Sequence, residues 1–240
     1  MLLGIQSSTG ARSGKDTVAD ILQTKLNIGR YAFAKPIKES MNELFAWDER
    51  HEDGALKEIV LPTFLPSVYQ WIEVVGNFYR KHPKLNSIGA VDKVGVEIHE
   101  VFNKWCYDNN RVLVNINQEQ DVTYHTKLLH ISPREAYQLF GTELMRECVS
   151  DSFWTDIAPK ENVIITDVRF SNEVSWLDEN KGVLVDVVRE GNEVKVATHS
   201  SESGTGATAY HTICNSGTLE MLDDEVHEFL NSLRNDGIYF

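Results

Sequence analysis

Three apolar runs without polar alternation stand out along the chain: Leu2-Leu3-Gly4-Ile5, Val163-Ile164-Ile165 and Val183-Leu184-Val185-Asp186-Val187-Val188. Continuous Val, Ile and Leu of this length predicts strands covered on both faces, the habit of a parallel sheet. A shorter run, 29–34, alternates like a strand and stops at Lys35-Pro36-Ile37-Lys38, where Pro36 suits the first turn of a helix reaching Phe45. A helix follows the first strand from about Val18 to Leu22. Near the end of the chain a short strand, Tyr210 to Cys214, leads through Asn215-Ser216-Gly217 into an amphipathic helix, Thr218 to Leu233. The expected class is α/β, with a doubly wound, mostly parallel sheet flanked by helices.

From Trp47 to His130 this strand–helix rhythm is lost. A solvated charge run, Asp48-Glu49-Arg50-His51-Glu52-Asp53, precedes scattered aromatics from Phe64 to Trp105. Helices are predicted over 67–79 and 91–107 and a strand over 111–116. The segment 47–130 therefore reads as a mainly helical insertion in a core made of 1–46 and 131–240. The core pattern resumes with Ser132-Pro133-Arg134-Glu135, whose N-cap serine, first-turn proline and glutamate three residues on predict a helix start. Arg134, Gln138 and either Gly141 or Thr142 then share one helix face. An arginine and an amide there suit a phosphate and a base edge; on spacing alone a solvated polar stripe is the simpler reading. The Ser-, Gly- and Thr-rich stretch 198–210 is expected to be exposed.

The chemistry concentrates at Thr9-Gly10-Ala11-Arg12-Ser13-Gly14-Lys15-Asp16-Thr17, small residues between the first strand and the first helix. Free N–H groups and the positive end of a helix dipole converge there on one point, which suits a polyphosphate. Lys15 adds a cation for the β- and γ-phosphates. Thr9 stands where the usual pattern has its first glycine, Gly10 comes one residue late, and Asp16 replaces the hydroxyl residue that Thr17 supplies one place further on. The carboxylate of Asp16 is a candidate Mg²⁺ ligand, since Mg²⁺ takes oxygen donors. The competing reading is an ordinary loop with Asp16 or Thr17 as a helix cap. Asp167 and Arg169, after the buried run, would lie at the carboxyl edge of the sheet beside the loop, a place for a Mg²⁺-directing carboxylate; a helix-capping acid is the alternative. Lys38, at another strand-to-helix junction, reads equally as a phosphate ligand or as a solvated lysine.

Composition narrows the field. With 23 basic against 36 acidic residues the formal charge is −13, which argues against nucleic-acid binding and makes any phosphate affinity local. Cys106, Cys148 and Cys214 are widely spaced and odd in number, so neither a disulfide framework nor a zinc pair is expected, and the histidines share no metal-ligand spacing. No apolar run approaches the ~18 residues that span a bilayer. The expectation is a soluble cytoplasmic protein with no membrane association, a homodimer being the one assembly allowed for.

Taken in order, Arg12 to Thr17, Pro36-Ile37-Lys38, Arg134 with Gln138 and Gly141-Thr142-Glu143, Trp154, Asp167-Val168-Arg169, Val188-Arg189, His199 with Glu202, and Ile213 to Thr218 resemble the deoxynucleoside monophosphate kinases of large bacteriophages, a branch of the P-loop nucleoside monophosphate kinases. The resemblance implies a P-loop kinase fold with an inserted monophosphate-binding region at 47–130 and a short lid near 189–210. It implies transfer of the γ-phosphoryl group of ATP, with Mg²⁺, to a deoxynucleoside 5′-monophosphate, in the host cytoplasm. By position Gly10, Ala11, Arg12, Ser13, Gly14, Lys15, Asp16 and Thr17 would cradle ATP, with Arg189, Asn215 and Gly217 completing its site. Lys15, Arg12, Arg169 and Asp167 would form the catalytic set, and Asp16, Thr17 and Asp167 would attend the metal. Lys38, Arg134, Gln138, Gly141, Thr142, Trp154 and Arg169 would bind the acceptor. Two other readings compete: another small-molecule P-loop kinase, such as one resembling dephosphocoenzyme A kinase, and a nucleotide-binding protein without catalysis.

Overall fold

The computed structural model describes residues 1–9, 12–119, 122–191 and 205–238, with backbone alone for 115–126. Gly10, Ala11 and residues 192–204 of the expected lid lie outside the described residues. In chain order the elements begin β1 (Leu2–Gln6), α1 (Lys15–Leu26), β2 (Gly29–Tyr31), α2 (Ala34–Phe45), β3 (Leu61–Phe64), α3 (Val68–Lys81) and α4 (Val91–Asp108). They continue with β4 (Val112–Glu119), β5 (Val122–Ile131), α5 (Pro133–Leu139), α6 (Phe153–Asp156) and β6 (Val163–Ile165). The last are α7 (Ser171–Glu179), β7 (Val183–Val188), β8 (His211–Cys214) and α8 (Leu219–Asn235). Two compact units result: residues 1–33 with 158–240, and residues 34–157.

The first unit holds a five-stranded sheet of order β2-β6-β1-β7-β8 in which every pairing is parallel. All five residues of β1 are buried, as its unbroken apolar run requires. Leu3 is level with Ile164 of β6 on one side and Val183 of β7 on the other, so β1 is the central strand. Leu3 and Ile5 face a core completed by Val18, Ala19 and Leu22 of α1 and by Leu222, Val226, Phe229, Leu230 and Leu233 of α8. Gly4 points the opposite way, as strand alternation demands. A Cβ there would stand 2.2 Å from Leu177 Cδ1, which shows how closely α7 lies on that face. From β1 the chain goes to one side, to β2 beyond β6. From β6 it returns past β1 to β7, so the carboxyl ends of β1, β6 and β7 meet where an open sheet binds its ligands.

The second unit combines α2–α6 with a three-stranded antiparallel sheet, β3-β5-β4. It is wider than the stretch 47–130 that loses the core rhythm, because α2 and α5 pack on one another and on the helices of that stretch. Strands β3 and β5 do not stand out in the sequence; β3 carries Pro62, and its residues alternate between partial and full exposure. Ser67 and Ser132 are N-caps with full capping boxes, to Gln70 and Glu135. After Leu139 the expected helix continues to Glu147 in the wider π-helical winding. The core is aromatic: Trp71 stacks on Phe140 at 6.0 Å, and Phe78 meets both Phe153 and Trp154 edge to face. Among the described residues no helix is long and apolar enough to cross a membrane.

Helices α3 and α4 approach closely at Gly95 of α4, where a Cβ would stand 2.7 Å from Ile72 Cα and 2.9 Å from Ile72 N. Backbone atoms cannot move aside as a side-chain tip can. Gly95→Val should therefore lower stability by about 1–3 kcal/mol, even though glycine is itself a poor helix former. Urea unfolding measures this, and an unchanged midpoint would mean that α3 and α4 lie further apart.

Candidate active site

In the first unit the phosphate loop is shaped by two left-handed residues, Arg12 at φ 65° and Gly14 at φ 92°. Gly14 is the N-cap of α1 and supplies no side-chain cap, so the first-turn N–H groups are left for a ligand. A second constraint also excludes a side chain there: a Cβ on Gly14 would lie 2.0 Å from Asn215 Nδ2. That amide donates to the Ser13 carbonyl at 2.8 Å. Asn215, expected to border adenine, thus also braces the loop. Ser13 is buried, and its hydroxyl has no partner among the described residues. Thr9, in the place of the missing glycine, accepts the Arg189 N–H at 3.3 Å through its hydroxyl and so ties the loop to the end of β7.

Lys15 opens α1 and is half-buried. Its pKa is lowered, first by burial and then by the Arg169 guanidinium, while Asp167, Asp16 and Asp186 act in the opposite sense. The structure thus brings Lys15, Asp167 and Arg169 into one electrostatic neighbourhood and adds Asp186. Asp167 is buried and accepts the Phe33 N–H at 2.7 Å. Asp186 is buried and accepts the Ser8 N–H at 2.8 Å and the Ser8 hydroxyl. The Arg169 side chain is exposed; its N–H and that of Phe170 are held by the buried Glu173 carboxylate at 2.7 and 3.1 Å. The exposed Asp16 carboxylate pairs with Arg30 at 3.2 Å, and Arg30 also pairs with Asp20. Thr17 is half-buried on the first turn of α1, Arg12 is exposed, and Gly217 lies exposed in the turn after Asn215.

Asp186, Glu173 and Arg30 were not singled out by the sequence. Asp186 did carry a signal, as a lone acid inside a Val- and Leu-rich strand. Among the described residues no group of three or more His, Cys, Asp or Glu forms a ready metal cage. Mg²⁺ in phosphoryl-transfer sites needs none, since one or two protein oxygens with phosphate oxygens and waters suffice. Asp167 and Thr17 fit that donor set. Asp16 fits it less well while Arg30 holds its carboxylate.

In the second unit Lys38, on α2, is paired with Asp53 at 3.5 Å and Glu52 at 3.8 Å. Arg134, on α5, donates from Nε to Glu58 at 2.6 Å. Gln138 is half-buried one turn further along the same helix. Gly141 and Thr142 are buried in the π-helical segment, and a Cβ at Gly141 would stand 2.8 Å from Ile37 Cδ1. Trp154, expected against the base of the acceptor, is fully buried among Phe78, Phe140 and Phe153 and donates from Nε1 to the Gly141 carbonyl at 2.8 Å. A ring with no exposed surface is part of the core, and what it fixes is the backbone at Gly141. Beside Glu52 and Asp53 opens a hollow of about 970 Å³, also lined by Lys35, Asn42, Trp47 and Arg50.

A parallel sheet of this order, flanked by helices and with a left-handed glycine and a lysine opening the helix after its central strand, is consistent with a P-loop kinase fold. The family model described as deoxynucleotide monophosphate kinase matches residues 5–64 and 84–226. A deoxynucleoside-5′-monophosphate kinase of Escherichia phage T5 is 30% identical over 238 residues, covering 86% of each chain. A deoxynucleotide monophosphate kinase of Escherichia phage RB69 is 23% identical over 91% of this chain and 96% of its own. The chain belongs to the deoxynucleotide monophosphate kinase family, and its enzyme class is phosphotransfer to a phosphate acceptor.

A lysine whose folded-state pKa is lowered costs stability wherever it is charged, and the cost is relieved as pH rises through that pKa towards the unfolded value. Lys15→Met should therefore leave the urea midpoint of the ligand-free protein at pH 7 equal to or above wild type. The gap should close as the buffer is taken towards pH 10. A lower midpoint in the variant would show that Lys15 supports the fold instead of being strained by it.

Proposed function

We propose that the chain transfers the γ-phosphoryl group of ATP to the 5′-phosphate of a deoxynucleoside monophosphate, giving the diphosphate. The observation that carries this reading is Lys15 at the uncapped N-terminus of α1, with Asp167 and Arg169 in its field. The first-turn N–H groups and the Arg12-to-Thr17 backbone would receive the ATP phosphates. Lys15 would follow charge on to the transferring group, the kind of stabilisation that outweighs ground-state binding. Arg169 would neutralise the donor and acceptor oxygens as they come into line. Asp167 and Thr17 would hold Mg²⁺, which would supply charge neutralisation to the phosphates.

No general base is assigned, because the attacking oxygen is already anionic and the work is positioning and charge balance. On the acceptor side Lys38 and Arg134 would hold the monophosphate, with Gln138 reaching its base edge. Asn215 and Gly217 would flank adenine, and Arg189 with the segment up to 210 would form a lid against water. ADP release measured with each deoxy- and ribonucleoside monophosphate, and with dephosphocoenzyme A, tests the substrate class. Turnover with dephosphocoenzyme A alone, or ATP binding with no turnover at all, would replace this reading.

Four variants test the roles. Lys15→Ala should reduce kcat by about 10²-fold or more, in a protein that still folds. Asp167→Asn should raise the Mg²⁺ concentration for half-maximal rate, and an unchanged requirement would assign Asp167 to the Phe33 N–H alone. Arg134→Ala should raise KM for every monophosphate alike, because it removes a charge-assisted bond. Gln138→Ala should instead change the ratio of kcat/KM between purine and pyrimidine acceptors. ATP affinity should hold in both, and loss of ATP binding would remove this helix from the acceptor site.

A further inference from the structure

Two of the cations assigned to the acceptor phosphate, Lys38 and Arg134, are engaged by carboxylates of one short stretch. Lys38 is held by Glu52 and Asp53, and Arg134 by Glu58. Glu52 is no loosely solvated acid: Asn42 Nδ2 donates to its Oε1 at 2.9 Å, and Asn42 is itself oriented by the Tyr137 hydroxyl, which donates to Asn42 Oδ1 at 2.7 Å. Tyr137 is buried on the same helix as Arg134 and Gln138. The Tyr137 phenol is pushed up by burial and then by the charges of Glu52 and Asp53. The arrangement is a built relay, Tyr137 to Asn42 to Glu52 to Lys38, with a second pair at Arg134.

We propose that Glu52, Asp53 and Glu58 are specificity-determining residues that occupy the acceptor-site cations until a dianionic phosphate monoester displaces them. The inference rests on the acceptor-site reading given above. A phosphate monoester carries about −1.5 to −2 charge at pH 7 and three strong acceptor oxygens. A phosphodiester or a carboxylate brings one charge. Exchanging a carboxylate for such a monoanion gains nothing in charge, and the displaced acid remains nearby to repel it. A dianion shared by the two cations brings about one charge to each, matching the carboxylate each gives up, whereas a shared monoanion leaves one of the two exchanges uncompensated. Partly exposed ion pairs are weak, so the dianion can open them. The three acids thus act against monoanionic ligands while lowering affinity for the true acceptor.

The test uses Glu52→Gln, Asp53→Asn and Glu58→Gln, alone and combined, since amides keep the hydrogen bonds and remove the charge. The probe is the 5′-phosphate methyl ester of an accepted deoxynucleoside, a monoanion, measured as a competitive inhibitor. The combined variant should lower acceptor KM by about three- to tenfold, taking each pair at surface strength, with ATP KM unchanged. The methyl ester Ki should fall further still, so that the ratio of Ki to acceptor KM narrows. A raised acceptor KM would mean that the acids position the cations, and an unchanged ratio would mean that they take no part in discrimination; either overturns the inference. Glu58→Gln alone, at an exposed pair, is the version least able to disturb folding and should move both constants in the same directions. Lys38→Met and Arg134→Ala separate the two levels. If they raise acceptor KM while the amide variants fail, only this inference is lost, and if they leave it unchanged the acceptor-site reading falls with it.

Discussion

The first unit depends on the left-handed turn at Gly14. Its backbone conformation is costly for any residue with a Cβ, and the space a Cβ would take is already filled by the Asn215 amide. Because the turn is made without a capping side chain, α1 begins with its N–H groups unspent. A helix end in this state is an anion site by construction. Asn215 closes the turn from behind through the Ser13 carbonyl, so the segment after β8 and the loop after β1 are fixed to each other although some 200 residues separate them.

The sheet order then decides which charges meet Lys15. β1 is flanked by β6 and β7, and each flanking strand brings one buried carboxylate to the carboxyl edge, Asp167 and Asp186. Each acid is committed to a backbone N–H, at Phe33 and at Ser8, which fixes its position independently of any ligand. Lys15 sits in that field with Arg169 opposing it, and burial lowers its pKa. A polyphosphate would reverse the balance, because it supplies the negative charge that the buried ammonium lacks. Strain in the ligand-free site and affinity for the ligand are therefore two expressions of one electrostatic arrangement.

Much of this was legible in the sequence, because the informative features are local. Unbroken apolar runs specify β1, β6 and β7, capping boxes specify the starts of α3 and α5, and the small-residue loop identifies Lys15. What escaped depends on contacts distant in the chain. The pairing of β3 with β5 joins residues about 70 apart, and β3, with Pro62 and half its side chains exposed, lacks the apolar signature of a core strand. The burial of Trp154 has no local mark either, because an aromatic near a substrate motif and an aromatic inside a core look alike in sequence. The widened winding after Leu139 has no sequence mark of its own. Arg30 lies in a strand that could be read, yet its pairing with Asp16 joins two elements and revises what the loop carboxylate is free to do.

An enzyme of formal charge −13 that takes two anionic substrates faces an electrostatic problem. At physiological ionic strength charges beyond about 8 Å are largely screened, so the overall charge repels weakly and the near neighbours decide. In the donor unit the helix terminus contributes positive potential without a titratable group, and Lys15 adds a cation held short of full hydration. In the acceptor unit the cations are side chains in partial contact with water, and each keeps an acidic partner. On the proposed reading the first arrangement would bind through a helix terminus that no side chain caps, whereas the second would discriminate because its cations already hold acids that a weaker ligand cannot replace. Affinity for the donor and selectivity for the acceptor would then come from different treatments of positive charge.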